Sequence, residues 1–266
     1  QRAAYDLIPE GVQGSIIVSE VDTGRILAMV SRPNYDTNKL AVHSTTEASE
    51  NMDELKEASI SPYNNPPTYE RPYPGSTFKI INAIAMLESG EYTPDTVMPV
   101  PNELPLPQTN ISISNFRGGA CGSRDSAEFS WIFAQSCNTP FSAAAMELGQ
   151  DAYLDVAERF GFNDESINIP LSVNPAFFPD EEISQAELAQ SVLGAVNVQA
   201  TAMQMNMVAA GVANDGTVMQ PQLVDTVRGP DLNVLEETQP EVYSEATDPE
   251  VARQVADMMA QVTESG

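Results

Sequence analysis

The pattern of apolar and polar residues near the start of the chain predicts a β-hairpin. In GSIIVSEVDTGRILAMVSRP, apolar residues flank the Asp-Thr-Gly at residues 22–24, which has the composition of a tight turn. Residues 15–20 and 25–31 are therefore predicted to pair as antiparallel strands at one edge of a sheet. Residues 32–72 contain scattered Asn, Ser, Thr and Pro with one short helical patch, which indicates a long surface excursion.

Helical spacing dominates the chain from Ser76 onward. The apolar residues after Ser76 fit a buried helix that ends near Gly90. DSAEFSWIFAQSCN, TPFSAAAMELG and DAYLDVAERFG predict three further helices, so that roughly residues 91–190 form a helical subdomain. A strand over 217–227 and a last helix over 249–263 follow. The fold class is therefore α/β (α+β), with helices around an antiparallel sheet and an all-helical subdomain.

Composition and charge narrow the function. The 266 residues are 42% hydrophobic, enough for one substantial core or two modest ones. The net charge of -26 opposes binding to nucleic acid or to an anionic membrane, and we interpret it as a solubilising surface. No apolar run is long enough to span a membrane, and no export leader is visible. The chain begins without methionine, so we expect it to be a piece of a longer protein.

The first candidate for chemistry is a serine with a lysine three positions later. Ser76 and Lys79 begin the buried helix in the sequence PGSTFK. Residues i and i+3 share one helix face, and an apolar setting disfavours the charged form of the lysine. The amine of Lys79 is then available to take the serine proton. Because this spacing also arises by chance, a second motif is needed.

That second motif is the Ser-x-Asn formed by Ser136 and Asn138, which taken alone is also compatible with ordinary helix capping. Together with PGSTFK it makes the chain resemble, nearly end to end, the transpeptidase domain of class B penicillin-binding proteins of the actinobacterial type. The stretches VDTGRILAMVSRPNYD and LAQSVLGAVNVQATAMQMNMVAAGVANDGTVMQPQLV resemble the same family. The wider superfamily of serine acyl-transferases includes the β-lactamases.

The resemblance implies a peptidoglycan D,D-transpeptidase that β-lactams inhibit covalently. Ser76 would be the nucleophile, Lys79 its general base, Ser136 a proton relay, and Asn138 a ligand of the substrate amide and of Lys79. It also implies stem peptides ending in D-Ala-D-Ala as the donor substrate, no cofactor, and an extracytoplasmic location at the membrane. Glycan-polymerising enzymes and division or elongation proteins are the expected partners. In such a location Cys121 and Cys137 are expected to form a disulfide, although two free thiols are the alternative.

One motif of the family is absent from the sequence. It consists of a basic residue, then Ser or Thr, then Gly, on a strand that lines the cleft. The three lysines are Lys39, Lys56 and Lys79, and no Lys, Arg or His precedes Ser-Gly or Thr-Gly. We therefore expect the third motif, the last sheet strands and the membrane anchor to lie outside this segment, and the segment alone to be impaired in catalysis.

Other chemistries fit the sequence less well. A Ser-His-Asp triad would need His43, the only histidine, which lies in a polar loop. No cluster with metal-ligand spacing is seen, so no metal is expected. Glu165 precedes Asn168 by three positions rather than the four of class A β-lactamases, and Asn138 replaces the Val of class D enzymes. A penicillin-recognising sensor, a silent wall-assembly module and a D,D-carboxypeptidase remain open as alternatives.

Overall fold

The computed structural model describes residues 1–58, 61–116, 121–122 and 124–265. The α-helices in this part of the chain are α1 (Arg2–Asp6), α2 (Thr45–Glu57), α3 (Pro66–Tyr69), α4 (Lys79–Glu88), α5 (Phe129–Ala134), α6 (Thr139–Leu148), α7 (Gln150–Arg159), α8 (Gln185–Ser191), α9 (Ala202–Ala213) and α10 (Pro249–Ser265). The strands are β1 (Gly14–Ser19), β2 (Ile26–Arg32), β3 (Val97–Pro99), β4 (Glu103–Pro105), β5 (Ser112–Ser114), β6 (Ser126–Glu128), β7 (Thr217–Met219), β8 (Thr226–Arg228), β9 (Val234–Glu237) and β10 (Val242–Glu245).

The hairpin expected near the start of the chain is confirmed. β1 and β2 pair antiparallel, with Ile16 opposite Val30, and the turn between them contains Gly24. The other strands of the described residues also form antiparallel pairs, namely β3 with β6, β4 with β5, β7 with β10, and β8 with β9. Helices and antiparallel strand pairs thus form a mixed α and β fold, as the sequence predicts.

The single strand predicted over residues 217–227 is wrong. β7 ends at Met219, and β8 begins only at Thr226 and pairs with a different partner. Pro221 interrupts the run because it lacks the N–H that a strand needs. Beside it, Gln222 N–H donates to Gly24 O at 2.9 Å and its carbonyl accepts from Ile26 N–H at 2.8 Å. After Pro221 the backbone therefore makes its hydrogen bonds to the first hairpin instead of continuing β7.

The region expected to be helical contains helices α5 to α8 and, in addition, two short strand pairs. β3 pairs with β6, and β4 pairs with β5. The helix predicted from DSAEFSWIFAQSCN is shortened by β6 and ends at Ala134. The strands are only three residues long, so alternation of polar and apolar residues gives little signal for them.

Helix α4 lies at the centre of the main core. Its residues Ile81, Ile84 and Met86 are fully buried, and it contacts α6, α7 and α10. Phe78, just before α4, stacks on Phe178 with ring centroids 5.4 Å apart. This packing fixes the start of α4, where the candidate nucleophile lies. Among the described residues, no helix combines the length and apolar character needed to cross a membrane.

Candidate active site

The start of α4 presents two side chains to opposite environments. Residues 75–78 form one 3₁₀ turn that continues directly into α4. Ser76 in this turn is exposed to solvent, whereas Lys79 is buried, with only 2% of its surface exposed. Thr77 Oγ1 donates to Pro74 O at 2.7 Å and ties the turn to the preceding chain. The serine is therefore open to solvent, whereas the lysine is buried in the protein interior.

The Lys79 amine donates to oxygen atoms of the second motif. Its Nζ lies 2.7 Å from Ser136 O, 3.1 Å from Ser136 Oγ and 2.8 Å from Asn138 Oδ1. It also lies 5.4 Å from the centroid of the Phe141 ring. Residues almost sixty positions apart in sequence thus meet at one nitrogen atom.

Burial controls the protonation of this amine. Removal from water lowers the pKa of Lys79 to about 7, because the charged form loses its hydration. Within the described part of the chain, no carboxylate pairs with Lys79 to restore the charge. A large fraction of the amine is therefore neutral near pH 7, and a neutral amine can accept a proton.

Ser136 adopts an uncommon backbone conformation between α5 and α6. Its φ angle is +55°, a left-handed value that few residues other than glycine adopt. Its N–H donates to Phe133 O at 2.9 Å, while both its carbonyl and its hydroxyl oxygen contact Lys79. Such backbone strain occurs preferentially at functional sites.

Asn138 immediately precedes α6, at the N-cap position, but its side chain makes no capping hydrogen bond. Its Nδ2 donates to Ser114 O at 3.0 Å, and its Oδ1 accepts from Lys79. Its backbone N–H donates to Asn115 Oδ1 at 2.7 Å. The capping interpretation of Asn138 therefore does not hold in this structure.

Asn115 is a supporting residue that the sequence does not reveal. It is 3% exposed, and its Oδ1 accepts from the N–H groups of Asn138 and Thr139. A lone Asn in an irregular region carries no recognisable signal, because its role arises from contacts with residues more than twenty positions away.

The structure thus brings together three of the four residues that the sequence singles out for chemistry. Lys79, Ser136 and Asn138 share one hydrogen-bonded cluster, and Ser76 lies three residues before Lys79 in the 3₁₀ turn that leads into α4. Among the described contacts, Lys79 makes no hydrogen bond to Ser76. A hydroxyl nucleophile, a partly neutral amine and a second hydroxyl are the groups that acyl transfer requires.

A disulfide joins Cys121 to Cys137, with an S–S distance of 2.04 Å. Cys137 is fully buried and lies between Ser136 and Asn138, so the bridge ties both residues to the chain before α5. His43, the only histidine, is exposed and distant in sequence from these residues. Among the described residues, no group of three or more His, Cys, Asp or Glu side chains could hold a metal ion.

The chain belongs to the penicillin-binding protein transpeptidase domain family, whose sequence model matches residues 14–266. It is 36% identical over 263 residues, or 97% of its length, to peptidoglycan D,D-transpeptidase PbpA of Mycolicibacterium smegmatis. Its fold matches penicillin-binding protein A from M. tuberculosis in the imipenem acyl-enzyme complex with a TM-score of 0.94, 30% identity and all of this chain covered. The D,D-transpeptidase domain of a peptidoglycan glycosyltransferase from Eggerthella lenta gives a TM-score of 0.88, also at 30% identity over the whole chain.

The chain spans about half the length of the curated relatives that it matches. It covers 53% of the M. smegmatis protein, 61% of the M. tuberculosis structure and 64% of the E. lenta structure. These matches establish the family and the fold of this segment.

The first prediction concerns the disulfide. The bridge spans a sequence separation of 16 residues, and in the chain-entropy model closing such a loop stabilises the fold by about 3 kcal/mol. The replacement Cys121→Ser should therefore lower the free energy of unfolding by about that amount, measured by urea denaturation without reductant. Dithiothreitol should destabilise the native protein but not the variant. Two free thiols in unfolded, non-reduced native protein would contradict the pairing.

Proposed function

We propose that this chain carries the acyl-transfer site of a peptidoglycan D,D-transpeptidase. The observation that carries the proposal is the buried Lys79 amine, with a pKa near 7, bonded to Ser136 and Asn138 one turn from the exposed Ser76. The names of the relatives, peptidoglycan D,D-transpeptidase and β-lactam acyl-enzyme complex, support the same reaction class.

The first step is attack on a stem peptide that ends in D-Ala-D-Ala. Ser76 Oγ bonds to the carbonyl carbon of the penultimate D-Ala, and its proton passes to the neutral Lys79 amine. The bond from that carbon to the terminal D-Ala nitrogen breaks, and Ser136, which contacts Lys79, passes a proton to the departing nitrogen. The product is an ester between the donor peptide and Ser76.

The second step transfers the acyl group. An amine of a neighbouring stem peptide attacks the ester carbon and gives up a proton to the Lys79 amine. The bond from that carbon to Ser76 Oγ breaks, and Ser76 Oγ takes this proton back from Lys79. Asn138 contacts the substrate amide in this proposal, and its hydrogen bonds to Ser114 and Lys79, which fix its side chain, support that role. Water in place of the amine would give carboxypeptidase activity at the same site, which product analysis distinguishes.

Location and protein partners belong to the same proposal. The disulfide beside the site supports folding outside the reducing cytoplasm, since such bonds persist in oxidising compartments. We therefore assign the site to the extracytoplasmic face of the cell membrane, where stem peptides are exposed. Glycan-polymerising enzymes and proteins of division or elongation are its partners in this proposal, since they act on the same cell wall.

The second prediction identifies the nucleophile. Incubation of the full-length protein with benzylpenicillin should add one penicilloyl group, because opening the β-lactam ring on Ser76 loses no atoms. Intact mass and peptide mapping should place the adduct on Ser76, and Ser76→Ala should remain unlabelled. Ser126→Ala is the control, since it removes an exposed hydroxyl on β6, outside the turn that carries Ser76. An adduct that persists in Ser76→Ala would overturn the assignment.

The third prediction tests Lys79 as the base. The acylation rate of the native protein should rise with pH through about 7, because only the neutral amine, present above its lowered pKa, accepts a proton. Lys79→Arg should abolish acylation although it keeps the charge, because a guanidinium with a pKa above about 12 stays protonated. Stopped-flow measurement of the rate from pH 5 to 9 is the test.

Lys56→Arg is the control for that substitution, since Lys56 is an exposed lysine on α2. Its acylation rate should equal that of the native protein at every pH. If Lys79→Arg, shown to be folded by its melting curve, reacts at the native rate, Lys79 is not the base.

A further inference from the structure

The chain from Val192 to Ala200, here called the 192–200 loop, contacts the turn of residues 75–78 that carries Ser76 and the chain on both sides of it in sequence. Gly75 N–H donates to Gly194 O at 2.9 Å, immediately before Ser76. Ala200 N–H donates to Pro72 O at 3.1 Å, upstream of the turn. Downstream, in α4, the buried Asn82 Nδ2 donates to Val192 O. One loop thus makes hydrogen bonds to the chain before, within and after the turn that carries Ser76.

Gly194 makes the closest of these contacts. A Cβ atom at this position would lie 2.1 Å from Gly75 O and 2.7 Å from Gly75 N, both of them backbone atoms that cannot rotate away. Its φ angle of +69° also lies in the left-handed region that favours glycine. Only a residue without a side chain allows the two backbones to approach this closely.

The rest of the loop is held in a defined shape. Val196 and Asn197 both have positive φ angles, of 38° and 63°, and this is especially uncommon for a β-branched residue such as Val196. Ser191 Oγ donates to Val196 O at 2.9 Å and closes the turn. A loop braced in this way can resist displacement of the segment that rests on it.

We propose that the 192–200 loop holds Ser76 in its reactive position, with Gly194 as the positioning residue. The inference rests on the proposed function, in which Ser76 is the nucleophile. Gly75 and Ser76 are consecutive, so any shift of the Gly75 backbone moves the Ser76 hydroxyl relative to Lys79 and to the substrate. A displacement of about 1 Å in such a group can lower a reaction rate about a hundredfold. The loop acts through the backbone of the turn and touches no reacting atom.

The experiment compares Gly194→Ala with Gly90→Ala in the full-length protein. Gly90 has a similar φ angle of +74°, but nothing lies within 4 Å of the position that its Cβ would occupy. Both substitutions place alanine in a left-handed conformation, and only Gly194→Ala pushes against Gly75. The difference between the two variants therefore isolates the contact from the backbone strain.

Two measurements are made on each variant. Stopped-flow acylation by benzylpenicillin at saturating concentrations separates the acylation rate constant from the dissociation constant of the preceding complex. We expect Gly194→Ala to lower the rate constant about 10-fold to 100-fold relative to Gly90→Ala. The dissociation constant should change less than about threefold, because the loss falls on the reaction step rather than on binding. A general loss of stability would not produce this split.

Hydrogen exchange supplies a readout that does not depend on the reaction. Amides of residues 72–80 should exchange about tenfold faster in Gly194→Ala than in Gly90→Ala, because the turn loses its support. If the native protein is not acylated at Ser76, the proposed function fails, and hydrogen exchange alone then decides whether the loop holds the turn. Equal exchange in both variants, or an equal acylation rate constant, would overturn the inference.

Asn82→Leu keeps the experiment decisive if Gly194→Ala does not fold. Asn82 is fully buried and its Oδ1 has no hydrogen-bond partner, so leucine of similar size removes the bond to Val192 with little other loss. We expect a loss in the acylation rate constant and faster exchange at residues 72–80, both smaller than for Gly194→Ala. Native values for both quantities would count against the loop.

Discussion

The hydrogen bonds from the Lys79 amine to Ser136 and Asn138 are the contacts on which the site depends. They join the start of α4 to the turn between α5 and α6, and they place an amine with a lowered pKa beside the Ser136 hydroxyl and the Asn138 amide. The amine can be buried because uncharged oxygen atoms of the protein accept its hydrogen bonds in place of water. These oxygen atoms stabilise the protonated form less than water does, so the pKa stays lowered. The same nitrogen atom therefore organises the local structure and supplies the base.

The position of that amine depends in turn on how α4 is held. Phe78 anchors its start against Phe178, and Glu88 at its end pairs with Arg159 and accepts a hydrogen bond from Thr247. These contacts bind α4 to α7 and to the segment before α10. A helix fixed at both ends leaves its first turn little freedom, which is the condition for holding an exposed Ser76 in one orientation.

The sequence reveals the parts of the fold and site that depend on local spacing. The hairpin follows from alternation around a turn, and the relation of Ser76 to Lys79 follows from the helical repeat. The approach of Ser136 and Asn138 to Lys79 does not follow from spacing and is expected only from the family resemblance. Asn115 and Gly194 are found only in the structure, since their roles arise from contacts with distant segments. The break at Pro221 does not show in the pattern, because the apolar residues Leu223 and Val224 follow it.

The net negative charge of the chain and the burial of Lys79 act in opposite directions on the pKa of its amine. A protein with a net charge of -26 creates a field that favours a protonated lysine, and this would raise the pKa of an exposed amine. Salt confines such long-range effects to about 10 Å at 0.1 M ionic strength, whereas the loss of hydration acts directly at the nitrogen. The lowered pKa of Lys79 therefore follows from its burial, and burial follows from the packing of α4 against α6 and from the ring of Phe141 beside the amine. The core that stabilises the fold is thus also what makes the amine a base.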